Sequence, residues 1–509
     1  MLLAVVIATV AVLFGLLLGL APAASRRALG PLRTLALTAV VGVVALHLLP
    51  EALRDLGALG LLVFAFGLAL PRWLAARSRR HDHGAHTELG LDLGFFGLVL
   101  HHVGDGVALG AYSRTSAVHG HPHSDVLLAL VLHTVPLVAV VAAGYARTRG
   151  VRVAVSRAGL LALASIAGVL CSHLVPEGIV ESATAWIAAG VSGLLLHGLA
   201  HDMALDLPRA TAGRTLDLSM ALLGALVGVF GAKLGAHADA AAEARLRLAF
   251  ITELERVSVP LACGLALGAF VGVWRHPKVA ALLSVYRDAS TPARGGVLVP
   301  EAFLLTLSHF GFFLAIVRDL LSALGFALRA SGEPGANSEA APRDEEESAR
   351  HAGAFERVDV IVPWAALGVL VSAVIRASVP DSALQVSLWL AMPAAIVFAL
   401  SVKVHAAAAP SLAFALADRG LPLPAALVAL VLMPFALDLR NAKQALFILV
   451  LVAFALALGD SIPHSPLMVD SKTAIIAAAC IGAVLLARAY ELGFRGLLLP
   501  IVGAEAESR

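Results

Sequence analysis

Leu100-His101-His102-Val103-Gly104-Asp105-Gly106-Val107-Ala108-Leu109-Gly110 places two imidazoles and a carboxylate inside a stretch otherwise apolar enough to cross a bilayer. An Asp at the centre of a spanning helix costs about 2.5–3.5 kcal/mol on insertion scales, so ionisable groups at that depth normally line a pathway or hold a cation. His101 and Asp105 stand at i and i+4, one turn apart on one helix face, where they can share a single ion. His102, about 100° further round, faces a second site or a neighbouring helix. Imidazole with carboxylate suits Zn(II), Fe(II) or Mn(II), and the lack of a thiolate in the motif disfavours Cu(I).

The rest of the chain has the same solvent preference. Its 509 residues are 59% hydrophobic and 14% charged, with a mean hydropathy of +0.89. The faces that would be charged in a soluble helical protein are Leu, Val and Ala here, as lipid contact requires. The fold expected is all-α, a polytopic transmembrane helical bundle. A net charge of +2 gives no footing for nucleic acid. Cys171, Cys263 and Cys480 are few, odd in number and set in apolar segments, so each is expected to be a small buried hydrophobe with no disulfide framework. The first twenty residues lack a basic n-region and read as a retained first span.

Apolar segments near 2–22, 34–53, 58–71, 94–112, 126–145, 158–176, 183–203 and 216–235 suggest about eight spans of ~30 Å hydrocarbon. Basic residues gather in alternate loops, at Arg26, Arg27 and Arg33, at Arg72, Arg77, Arg79 and Arg80, at Arg147, Arg149, Arg152 and Arg157, and at Arg209 and Arg214. The positive-inside rule places these on the cytoplasmic side and both ends of residues 1–236 outside. Residues 237–257 carry Asp239, Glu243, Arg245, Arg247, Glu253, Glu255 and Arg256 and read as an amphipathic connector. Beyond it, a second bundle of about six or seven spans is expected by the same length rule. Its sub-bundles are 258–330 and 358–509, with apolar runs that include 298–317 and 422–437; the shorter piece 406–417 reads either as re-entrant or as an ordinary Ala-rich packing helix. An acidic flexible loop, 331–357, separates the two sub-bundles.

Histidine is concentrated early, with 13 of 19 before residue 202. His133 precedes Pro136, which frees a backbone carbonyl one turn earlier and near the imidazole. His47 with Glu51 and His173 with Glu177 share the pattern His-Leu-x-Pro-Glu, a hint of repeated hairpins. His197 and His201 are one turn apart, but Gly198 stands where a zincin carries its general-base Glu, which argues against an intramembrane metalloprotease; with no Ser-His or Gly-x-Ser-x-Gly arrangement to replace it, no enzyme is expected. Histidine-rich loops at His81-Asp82-His83-Gly84-Ala85-His86 and His119-Gly120-His121-Pro122-His123 suit weak, fast-exchanging metal contacts.

On these residues the first 236 positions resemble a ZIP (Zrt/Irt-like) metal transporter. The fourth span of that family commonly reads His-Asn-x-x-Glu/Asp-Gly, and its metal positions fall on His101 and Asp105, with His102 in place of Asn. The fifth-span pattern falls on His133, Thr134, Pro136 and Leu137, so Thr134 and Leu137 stand where ligands are usual. The resemblance implies a reduced metal site of His101, Asp105 and His133, helped by Glu177; His102, His173, His197 and His201 are further candidate metal residues by their own spacing. It also implies inward flow of zinc or an iron-like ion by alternating access, the ion being cargo rather than a fixed cofactor. Residues 258–509 resemble a family of predicted bacterial permeases linked to metal or oxyanion export. This second resemblance rests on Ala417-Asp418-Arg419-Gly420-Leu421-Pro422-Leu423-Pro424-Ala425-Ala426-Leu427, with Val404-His405 before it and Met433-Pro434-Phe435 after. Members often carry cysteine where His405 stands.

The function expected is transport of a divalent cation across the cell inner membrane. Its partners are that ion and the bilayer, with a homodimer as one assembly open to it. Two alternatives remain: an exporter of toxic metal or oxyanion whose first half is accessory, and a non-transporting metal sensor or scaffold.

Overall fold

The computed structural model describes residues 2–21, 26–78, 95–107, 109–110, 124–174, 185–190, 192–193, 196, 211–235, 240–273, 299–330, 343–381, 383–402, 404–435, 442–459 and 470–494. Every regular element among them is a helix. Among the described residues three helices are long and apolar enough to cross a membrane, Val151–Ser172, Val358–Ser378 and Ser471–Leu492. Large apolar side chains are exposed along many helices, among them Phe14, Leu17, Leu163, Leu174, Trp389 and Leu486. In water such faces would drive association, whereas lipid solvates them at no cost.

The chain divides into two compact units, Met1–Glu243 with Ala489–Val502 and Ala244–Arg488 with Gly503–Arg509. In the first, Leu2–Leu20 packs on Ser124–Thr148 and Val151–Leu174, while Arg26–Val43 packs on Thr211–Gly235 and Ser124–Thr148. Apolar side chains alone cannot hold such helices together in lipid, so contact depends on small residues and on polar groups that find partners. Gly106 and Gly168 supply the first: a Cβ on Gly106 would collide with the Ser165 carbonyl oxygen, and one on Gly168 would collide with that of Val103. The motif helix, residues 95–107, therefore lies backbone to backbone on Val151–Leu174. Thr34, fully buried, supplies the second by donating its hydroxyl to the Asp217 carboxylate. At the N-terminal end of the motif helix Phe95 meets Tyr145 edge-on at 5.7 Å, and the Arg157 guanidinium lies 4.7 Å above the Phe95 ring.

The helix that follows Arg26–Val43 widens into a π turn over Val44–Leu48 before Leu49–Leu56. Pro50 lacks the N–H that an α-turn would need there, which accounts for the altered winding.

In the second unit the expected run 298–317 is broken into Pro300–Phe310 and Phe312–Ala330. Gly311 makes the break at φ 91° and ψ 174°, a conformation that essentially only glycine adopts. The described residues of run 422–437 form the ten-residue helix Leu423–Leu432. Pro434, which has no N–H to donate, keeps that helix from continuing. It pairs with another ten-residue helix, Ala409–Asp418, through a turn in which Gly420 (φ 103°) donates to Ala417 and Leu421 donates to Leu416. That pattern is a Schellman cap. Each helix of the hairpin is about 15 Å long, half of what the hydrocarbon requires. Both are buried along most of their length, and the Val404 N–H reaches the Met433 carbonyl so that the two non-helical ends meet. Non-helical backbone is tolerated in such surroundings only where protein covers it.

The charged stretch before residue 257 and the apolar stretch after it form one continuous helix, Ala240–Val273. Val257, Leu261, Leu305, Ile361, Ala365, Val369 and Ala407 make a buried apolar cluster beside it. Two of the candidate spans are tied by a forked ion pair, Arg488 Nε to Asp359 Oδ1 at 2.6 Å and Nη2 to Oδ2 at 2.5 Å. The cysteines correct the expectation of burial: Cys171, Cys263 and Cys480 are all exposed. They occupy outward helix faces, where lipid accepts a thiol as readily as a protein core does.

Replacing Gly106 by Leu is expected to lower stability by about 1–3 kcal/mol through overpacking, whereas Gly159→Ala, where an added Cβ meets nothing within 4 Å, should be neutral or slightly stabilising. Thermal unfolding of both variants in the same detergent checks the contrast.

Candidate functional site

Residues 95–107 carry the expected pair into the interior of the first unit. His101 Nε2 lies 3.4 Å from Asp105 Oδ2, with side-chain exposures of 7% and 14%. Two ligands each ~2.1 Å from a tetrahedral ion are themselves about 3.4 Å apart, so this spacing matches a shared metal without rearrangement. His102 turns away toward Val151–Leu174, its Nδ1 3.0 Å from the Ser165 hydroxyl. The two rings stand 5.9 Å apart at 64°. The glycines on either side explain the arrangement: Gly106 and Gly168 bring the backbones close enough for His102 to reach a serine one helix away.

The side chains of His133 and His173, and residues Glu177, His197 and His201, lie outside the described residues, as do both histidine-rich loops. Among the described residues no group of three or more His, Cys, Asp or Glu stands together as a metal cage. Thr134 and Leu137 are buried in the helix Ser124–Thr148.

A second polar centre, which the sequence reading passed over, lies in the other unit. Glu253 is completely buried, and its Oε1 is 2.8 Å from His309 Nε2. Its Oε2 is 3.3 Å from Arg376 Nη1 and 3.7 Å from Arg256 Nη1. Arg376 in turn reaches Asp418 at 3.0 Å, Asp418 reaches Arg419 at 3.0 Å, and Arg419 pairs with the exposed Asp381. Four helices contribute: Ala240–Val273, Pro300–Phe310, the end of Arg343–Ser378, and Ala409–Asp418. Phe414 sits among the cations, with Arg256 4.4 Å and Arg376 5.8 Å above its ring and His309 5.3 Å away edge-on. The face of an aromatic ring attracts cations, so Phe414 supplements the three carboxylates in this centre.

The sequence signal for this centre is visible in retrospect. Glu253 and Arg256 at i and i+3 face one way just before an apolar run, and His309 is isolated in an apolar helix. The partners, however, lie 56 and 123 residues away. Periodicity within one helix cannot report them.

His405 lies just ahead of the helix Ala409–Asp418, whose N-cap is Ala408. Its carbonyl accepts the N–H groups of Ala408 and Ala409, and its ring Nδ1 accepts that of Ala407 at 3.2 Å. The ring stacks on Trp364 at 6.5 Å. This side chain closes a local turn ahead of the helix, as Asn or Asp does when it bonds the backbone two residues on.

Glu253→Ala should destabilise the protein by about 3–5 kcal/mol, since it strands buried guanidinium and imidazole groups. His405→Ala should cost about 1 kcal/mol and His405→Asn clearly less, because the amide oxygen can still accept the Ala407 N–H. Denaturation of the purified chain in detergent measures both.

No family model, no curated protein and no solved structure matches the chain.

Proposed function

We propose that the chain is a multi-pass inner-membrane transporter that carries a divalent cation, zinc or an iron-like ion, through its first unit by alternating access. The observation that carries this reading is the His101–Asp105 pair: an imidazole and a carboxylate 3.4 Å apart, both largely buried on an apolar helix. Burying these groups is costly unless an ion or a partner compensates them. A two-ligand foothold binds a hydrated cation strongly enough to strip part of its water and weakly enough to let it go, whereas a closed four-ligand cage retains its ion. His133, on the neighbouring helix, is the third ligand in this reading. The exposed apolar helix faces and the three long apolar helices support a membrane setting. The eight-span, ZIP-like arrangement of residues 1–236 belongs to the same proposal.

The second unit supports an alternative, export of a toxic metal or oxyanion. Its basis is the pair of ten-residue buried helices with touching non-helical ends. Broken helices of this kind build substrate sites in many transporters.

The full chain in proteoliposomes should take up radioactive zinc, and Asp105→Ala and His101→Ala should each reduce uptake at limiting zinc at least tenfold. Loss of even an outer-shell partner typically costs 10–100-fold in metal affinity. Zinc, iron and manganese flux that is unchanged in both variants would overturn the first reading and leave the second unit as the candidate pathway.

A further inference from the structure

We propose that Glu253 and His309 form a proton-binding site in the second unit, and that the short helix Pro300–Phe310 moves when the proton is lost. The geometry of His309 carries the argument. Its Nδ1 lies 2.7 Å from the Leu305 carbonyl oxygen and its Nε2 lies 2.8 Å from Glu253 Oε1. A carbonyl oxygen only accepts, so Nδ1 bears a hydrogen. The contact at Nε2 then needs one more proton, either on the ring as an imidazolium facing a carboxylate or on Glu253 as an acid donating to a neutral ring. Both forms hold the same proton. Without it, a nitrogen lone pair and a carboxylate oxygen face each other inside the protein, and a buried hydrogen bond is unmade.

The surroundings suit a proton and nothing larger. Both side chains have zero exposure, and the centre contains no group of three metal-ligating residues among those described. The charged groups around the pair are Arg256 from the same helix as Glu253, Arg376 from Arg343–Ser378, and Asp418 behind Arg376. Arg419 and Asp381 continue the series to the surface, where Asp381 is 89% exposed. Ser308 and Ser411 stand 3.1 and 3.4 Å from the two ring nitrogens. This series joins solvent to the buried imidazole through alternating charges.

The short helix is built to respond. Gly264 lets it approach Ala240–Val273, since a Cβ there would lie 2.6 Å from the Glu301 Cα. At its other end, two residues beyond His309, Gly311 sets the backbone break. Loss of the proton pushes the ring away from Glu253, and Gly311 is the position where the backbone can absorb the turn. The proton arrives and leaves as H⁺, with no co-reactant. None of this depends on metal transport by the first unit, and the variants that test it leave His101 and Asp105 untouched.

The test uses the full chain in lipid nanodiscs, labelled with ¹⁵N-histidine, with the His309 signals identified by their absence from His309→Gln or, if that variant is not recovered folded, from His309→Asn. The ring nitrogens should pass from the doubly protonated to the singly protonated pattern as pH rises. Glu253→Gln should weaken proton binding at His309 at least tenfold, and Arg376→Gln should strengthen it, because one removes a stabilising negative charge and the other a competing positive one. A pair in which His309 keeps one protonation state throughout predicts no titration and no such opposite shifts. A His309 signal unchanged between pH 5 and pH 9, or one that moves in the same direction in both variants, overturns the proposal. Should Glu253→Gln not fold, the strengthening in Arg376→Gln decides alone.

Discussion

A carboxylate with no access to water has to be surrounded by cations, and Glu253 imposes that condition on the second unit. His309, Arg376 and Arg256 all point at it. Ionised groups removed from water cost several kcal/mol each, and only close, hydrogen-bonded partners offset the cost. Moving any of the contributing helices by a few ångströms would therefore leave a charge stranded. The apolar cluster around Leu261, Leu305 and Ala365 gives cohesion without direction. Register comes from the polar centre, which tolerates one arrangement of helices.

The first unit is organised on a different principle. It holds the pair His101 and Asp105 on a helix pressed against its neighbour at Gly106 and Gly168. Close backbone approach replaces the hydrophobic effect as the source of cohesion, because lipid removes the advantage of burying Leu against Leu. The same approach fixes the rotation of the helix, so that His102 meets Ser165 and His101 turns to Asp105. Rotation of this helix and placement of its two imidazoles are one constraint.

Local spacing made the first centre legible and concealed the second. The relation between His101 and Asp105 is contained within one helical turn, and the helical class followed from composition. The cluster at Glu253 depends on residues brought from far along the chain, and its charged flank looked like a surface connector. The same limit applies to breaks. Nothing in the hydropathy of 298–317 distinguishes an uninterrupted helix from one cut at Gly311, because a single backbone torsion decides the matter. The exposure of Cys171, Cys263 and Cys480 has a related cause. An apolar neighbourhood in sequence means core in water but is equally satisfied by the periphery in lipid.

The forked pair between Asp359 and Arg488 joins residues 129 apart. Asp359 opens the candidate span Val358–Ser378, and Arg488 lies near the end of Ser471–Leu492. During synthesis the carboxylate emerges first and waits for its counterpart through the 129 residues that separate them. Until Arg488 follows, that carboxylate lacks its fork, and the two helices lack the tie that sets their pairing.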